Sequence, residues 1–491
     1  MLSKNLMRYA AILVFFGAGT ISIIEIGSRL YSDRAVSEAP PASAQVSNTL
    51  AEKAEVSTSA GIGRELRNNL RHPVSVLLLQ VIVVLAAARI VGTLLRKVGQ
   101  PTVIGEMIAG ILLGPSLLGW FSHPTMTFLF PADSMGALRL LSQIGVIIFM
   151  FVVGTDVNVK HIRQKAHAAI MVSHASILVP FFLGAALALI IFRSAAPAHV
   201  SFTAFALFIS VAMSITAFPV LARIIEERGL THSYLGNTAI ACAAVDDVTA
   251  WCLLAVVIAI VKASGLGSAI LTIFLSLLFI GLMLFVVKRQ ADRIIGAYLE
   301  AETQRRGLIA IILIFCISSA LLTEVIGIHA LFGAFLAGVI MPSTAGLRTF
   351  LSERIEIFTS SFLLPLFFAF TGLRTQIGLL NTWSDWLICA GVIAVAIAGK
   401  FGGSALAARW TGMNWHDSLS IGTLMNARGL MELIVLNIGY DLGILSPRIF
   451  SMMVIMALVT TFMTAPILSL LESLKRRDVS ARMEIPDSTG A

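Results

Sequence analysis

Charge is scarce in this chain. Asp, Glu, Lys and Arg make up 13% of its 491 residues, about half the usual quarter. So few charges cannot cover the surface of a soluble fold. Hydrophobic residues reach 57%, which excludes intrinsic disorder. Cysteine is also scarce. Cys242, Cys252, Cys316 and Cys389 all fall in apolar runs, at spacings that fit neither a disulfide framework nor a zinc site. They read as buried small hydrophobes. No phosphate-binding loop, dinucleotide fingerprint or metal-ligand spacing occurs, so no cofactor is expected. Beyond residue 72 there is no long polar stretch, hence no inserted soluble domain.

Apolar runs fill the space that these absences leave. A membrane helix needs about 20 apolar residues. The first run, near 9–28, follows Lys4 and Arg8 and makes 1–30 a signal peptide or signal anchor. Residues 31–72 carry Ala, Ser, charge and Pro40-Pro41 and read as a flexible extracytoplasmic linker. Thirteen apolar segments follow, near 74–95, 101–120, 139–157, 166–192, 200–225, 234–261, 267–287, 307–326, 328–343, 358–378, 386–408, 417–440 and 447–472. They define a transmembrane domain over 73–474, with a short tail at 475–491. The sequence predicts an all-α integral membrane protein whose partner is the lipid bilayer.

The net charge of +8 has a topological explanation. With the linker outside, the inward loops hold 19 basic residues and the outward loops between segments hold four: Arg139, Arg193, Lys262 and Arg448. That is the positive-inside pattern. It puts the C-terminus in the cytoplasm and the protein in the plasma (cell inner) membrane, and it gives no case for a nucleic acid partner. Thirteen splits as six, one and six, the arithmetic of an inverted repeat. Segment 200–225 then corresponds to segment 417–440.

Ionisable groups at membrane depth are costly and point to function. Segment 234–261 holds Asp246-Asp247 with no basic neighbour. Successive helical residues point about 100° apart, so the two carboxylates face different directions. Segment 386–408 holds Lys400 between glycines. It needs an acidic partner, and Asp247 or Asp246 is available. A static structural pair is the plain alternative. Segment 200–225 holds Ser214-Ile215-Thr216-Ala217-Phe218-Pro219, where Pro219 removes a donor and can unwind the helix beside the Ser214 and Thr216 hydroxyls. Its counterpart holds Asn426-Ala427-Arg428-Gly429-Leu430-Met431-Glu432. Arg428 and Glu432 are four apart and can pair. Two interrupted helices in corresponding halves point to a transporter binding site. The glycines at 105, 110, 114 and 119 suit helix packing.

These residues resemble the monovalent cation:proton antiporter-2 family of the sodium/hydrogen exchanger superfamily. The match is carried by Gln100 to Ser116, Ser214 to Arg223, Ala244 to Val248, Leu364 to Leu373 and Asn426 to Leu433, within about 74–472. The resemblance implies thirteen core helices with two crossed, broken ones, and a homodimer. Core elements would lie near 166–262 and 386–472, and dimerisation elements near 74–157 and 307–378. It implies antiport of Na⁺ or K⁺ against protons by alternating access, electrogenic because the acidic pair is Asp-Asp. Asp247 would bind the transported cation or a proton, Asp246 would shape the site, and Thr216 would line it. Lys400 would pair with Asp247 and release it when the cation binds. Pro219, Asn426, Arg428 and Glu432 would support the broken helices. Rival expectations are a ligand-gated potassium efflux system lacking its own regulatory domain, and, from another class, a membrane-embedded enzyme or a transport-inactive sensor.

Overall fold

The computed structural model describes residues 2–31, 69–70, 72–156, 166–216, 218–230, 233–262, 266–300, 305–342 and 345–483. The linker expected over 31–72 and the end of the expected tail fall almost wholly outside them. Among the described residues every regular element is a helix. In chain order the principal ones are α1 (Leu2–Leu30), α2 (Pro73–Lys97), α3 (Thr102–Leu113), α4 (Met135–Asp156), α5 (Ala166–Ala195), α6 (Phe202–Ser214), α7 (Phe218–Glu227) and α8 (Tyr234–Lys262). There follow α9 (Leu266–Leu282), α10 (Arg305–Ile326), α11 (Ala330–Val339), α12 (Leu364–Arg374), α13 (Trp383–Ile397), α14 (Gly403–Trp410), α15 (Trp415–Met425), α16 (Leu430–Asp441) and α17 (Pro447–Met483).

All thirteen expected segments hold helix, but length divides them. Eleven helices in the described residues are long and apolar enough to cross a membrane, α1 among them. The three segments that fall short do so for physical reasons. One is the ten-residue α11. The other two are interrupted, between α6 and α7 and between α15 and α16. Those are the two breaks that Pro219 and the Asn426–Gly429 stretch predict.

Burial runs opposite to that of a water-soluble bundle. On α9, Ile270, Leu271, Phe274, Leu277 and Leu278 are exposed, a contiguous apolar face that only lipid can solvate. Residues Leu364–Leu373 of α12 and most of α6 are buried. Small residues set the closest approaches. A Cβ at Gly110 would run into the Ala369 carbonyl, and one at Gly105 into Gly92, as the packing reading expects. Three cysteines are buried as expected. Cys252 is exposed, because it lies on the outward side of α8, and lipid contact serves a thiol as well as a protein interior does.

α1 lies along α5. Phe16 meets Phe182 edge-on at 5.4 Å, and further along Tyr31 packs on Phe192 at 4.8 Å. The Tyr31 hydroxyl donates to the Leu189 carbonyl at 3.0 Å. Both helices therefore run in the same direction. The charge rule independently puts the basic starts of both on one side.

Candidate functional site

The site begins with the α6–α7 break. A helix ends with carbonyls that lack partners, and the aligned peptide dipoles make that end negative. At the end of α6 these carbonyls belong to Ala212, Met213 and Ser214, all buried. Two buried cations take them up. Arg428 donates to the Ala212 carbonyl at 3.1 Å and to the Met213 carbonyl at 2.8 Å. Lys400 donates to the Ser214 carbonyl at 2.5 Å. The two interrupted segments thus meet at their breaks. Arg428 also faces Glu432 at 3.2 Å, both fully buried. Thr461 on α17 holds the second break open. Its hydroxyl accepts from the Arg428 amide at 3.0 Å and donates to the Arg428 carbonyl at 2.6 Å.

The two aspartates on α8 have opposite surroundings, and here the expected pairing is corrected. Lys400 pairs with Asp246, at 3.0 Å, with both side chains fully buried. Asp246 Oδ2 also accepts from Thr216 at 2.6 Å and Ser176 at 2.7 Å, and Oδ1 accepts from Ser173 at 2.5 Å. Four donors saturate it. Asp247 is equally buried, yet no side chain among the described residues donates to either of its oxygens; the polar group set against it is the Phe218 backbone amide at the start of α7. The 100° step along the helix sends one carboxylate into the polar cluster and the other away from it.

Ser214 is corrected as well. Its hydroxyl turns back to the Ser210 carbonyl at 2.7 Å, so the main-chain oxygen, not the side chain, enters the site. Thr216 lies in the break between α6 and α7, with its hydroxyl on Asp246. Asn426 is buried at the end of α15, its Oδ1 without a partner among the described residues. Pro219 opens α7; its side chain lies outside what is described. Ser173, Ser176 and Thr461 went unnoticed in the sequence.

Lys400 reaches the cluster from a wide, π-helical turn, Ala398–Gly402, between α13 and α14. Such turns recur at functional sites. Away from the cluster, at the end of α16, lies a cavity of about 400 Å³ whose lining includes Arg139, Gln143, Glu324, His329, Asn437 and Asp441. Asp441 holds Arg139 at 3.0 Å and Arg374 at 2.9 Å. Among the described residues no group of His, Cys, Asp and Glu is arranged to hold a resident metal ion.

The family profile described as sodium/hydrogen exchanger, transmembrane, matches residues 66–470. The Na(+)/H(+) antiporter NhaS4 of Synechocystis sp. is 45% identical over 80% of this chain and 96% of its own length. Cation/H(+) antiporter 17 of Arabidopsis thaliana is 40% identical over 82% of this chain, and K(+)/H(+) antiporter 1 of Saccharomyces cerevisiae 33% over 84%. This chain spans 49% and 48% of those two longer relatives. In fold it is similar to the sodium proton antiporter MjNhaP1 of Methanocaldococcus jannaschii, with a TM-score of 0.55 at 14% identity, covering 79% of this chain and 94% of that one.

Proposed function

As a member of the sodium/hydrogen exchanger family, this chain is a secondary transporter that exchanges a monovalent cation for protons, and we propose that Asp247 is where the two compete. One observation carries the reading: of two adjacent buried carboxylates, Asp246 is held by four side-chain donors and Asp247 by none among the described residues. An isolated buried anion is costly, so Asp247 needs a neutralising charge from outside its own fold. A proton and a Na⁺ or K⁺ ion both supply one, and they exclude each other. That exclusion couples the two fluxes without a cofactor.

Lys400 stands beside this exchange. A cation arriving at Asp247 repels the ammonium on the neighbouring Asp246. When the lysine gives up its proton, two carboxylate charges face one cation, which makes the exchange electrogenic. Every polar group of the site comes from 166–262 or 386–472, which supports reading those stretches as the moving core. The stretches 74–157 and 307–378 would form the dimer contact of a homodimer. The protein would sit in the plasma (cell inner) membrane with its C-terminus in the cytoplasm, the cavity at Asp441 opening outward, as the basic loops require.

The test is dissipation of a pH gradient in proteoliposomes on adding Li⁺, Na⁺, K⁺ or Rb⁺. Asp247→Asn should abolish exchange with every cation. Undiminished exchange in that variant would sink the assignment. In the wild type, displacement of one proton from Asp247 and one from Lys400 predicts that the apparent cation affinity falls by up to about a hundredfold per pH unit where both groups are protonated, against about tenfold if Asp247 alone releases one.

A further inference from the structure

We propose that α5 forms a third wall of the ion site: Pro180 frees the Ser176 carbonyl, and Ser176, through that carbonyl and its hydroxyl, holds Lys400 at rest and the transported cation once Lys400 leaves. This rests on the antiport reading above and adds a helix that neither the breaks nor the aspartates identify.

The argument begins with backbone bookkeeping. In an α-helix each carbonyl accepts from the amide four residues on. Pro180 lies inside α5 and has no amide hydrogen. The residue four before it is Ser176, whose carbonyl is therefore left without its helical donor. A buried carbonyl without a donor is unfavourable. Lys400 supplies the donor, with Nζ at 2.9 Å.

The same ammonium donates to the Ser176 hydroxyl at 2.9 Å, to the Ser214 carbonyl at 2.5 Å and to Asp246 Oδ2 at 3.0 Å. Four oxygens from three helices surround one positive charge. The Ser176 hydroxyl donates in turn to Asp246 Oδ2 at 2.7 Å, so it stands between lysine and aspartate. Ser173 holds the other carboxylate oxygen. Carbonyl and hydroxyl oxygens in such a shell are what replaces water around a monovalent cation. An ammonium and an alkali cation carry the same charge and are satisfied by the same shell. Lys400 thus holds oxygens that become free, once it leaves, to complete the shell of a cation arriving at the adjacent Asp247.

The approach of α13 to α5 is built for this. Gly399, next to the lysine, packs on Pro180 so closely that a Cβ there would lie 2.8 Å from the Pro180 Cα. The proline that frees the carbonyl is the residue on which the lysine's own turn rests.

Three substitutions test the inference in proteoliposomes, with cation-dependent thermal stabilisation of the purified protein as a second readout. Ser176→Ala removes the hydroxyl. Pro180→Ala returns an amide that competes for the Ser176 carbonyl. Each should raise the cation concentration for half-maximal exchange about tenfold, the worth of one hydrogen bond to a charge. Each should also weaken stabilisation by the cation and move the pH profile. Ser176→Thr keeps the hydroxyl and should recover part of the cation affinity and pH profile that Ser176→Ala loses. A purely structural role would lower yield or Tm and leave half-saturation and pH profile in place. Unchanged half-saturation and pH profile in Ser176→Ala and Pro180→Ala, with Asp247→Asn inactive, would overturn this inference alone. Full exchange in Asp247→Asn would overturn the reading beneath it.

Discussion

At the scale of single residues, two neighbours on one helix do different work because their surroundings differ. Among the described residues Asp246 has four side-chain donors and Asp247 has none. The sequence made both conspicuous, since carboxylates are rare in so apolar a chain. It could not say which one meets Lys400, because that depends on how α8 is rotated against α5 and α13. Ser173 and Ser176 were invisible for a different reason. A serine in an apolar helix normally satisfies itself on its own backbone, as Thr249 does on the Val245 carbonyl at 2.8 Å. The one available clue was Pro180, four residues past Ser176. Gly399 allows a sharp prediction at this scale. Gly399→Ala would force the turn after α13 off Pro180, with an overpacking cost of about 1–3 kcal/mol. Thermal unfolding in detergent should show the loss, and cation affinity should fall with it as Lys400 is displaced.

Helices explain why the site exists at all. Both breaks were legible: Pro219 removes a donor, and Asn426 and Gly429 are weak helix formers. What the sequence withheld was their mutual use, in which Arg428 of one break covers the carbonyls of the other. Sequence spacing had suggested only the Arg428–Glu432 pair. That pair stands in the structure, but the guanidinium's larger task is closing the end of α6. Arg428→Ala would leave Glu432 as an uncompensated buried charge and expose two carbonyls. A loss of about 3–5 kcal/mol is expected, enough to abolish folded protein in a fluorescence-detected size-exclusion profile. Arg428→Ala with Glu432→Gln should recover part of it, since the stranded charge is gone while the carbonyls remain uncovered.

For the whole molecule, the Arg139–Asp441–Arg374 cluster ties α4 and α12 to the end of α16. If the core moves against its surroundings, these ties break in every cycle. The Arg139 pair is partly exposed, with Arg139 at 42%, so it is worth no more than about 1 kcal/mol, while the more sheltered Arg374 keeps a second acceptor in Asn437 when Asp441 is changed. Asp441→Asn should therefore change the initial exchange rate only several-fold and leave half-saturation unaltered, as a rate series against cation concentration would show. The pairing of α1 with α5 has a consequence for how the protein is made. Tyr31 and its acceptor Leu189 are 158 residues apart. At a synthesis rate of about 5–20 residues per second, roughly 8–30 s separate the emergence of one from that of the other. For that interval α1 has no docking surface on α5, and its own hydrophobicity is all that can hold it in a bilayer until its neighbour arrives.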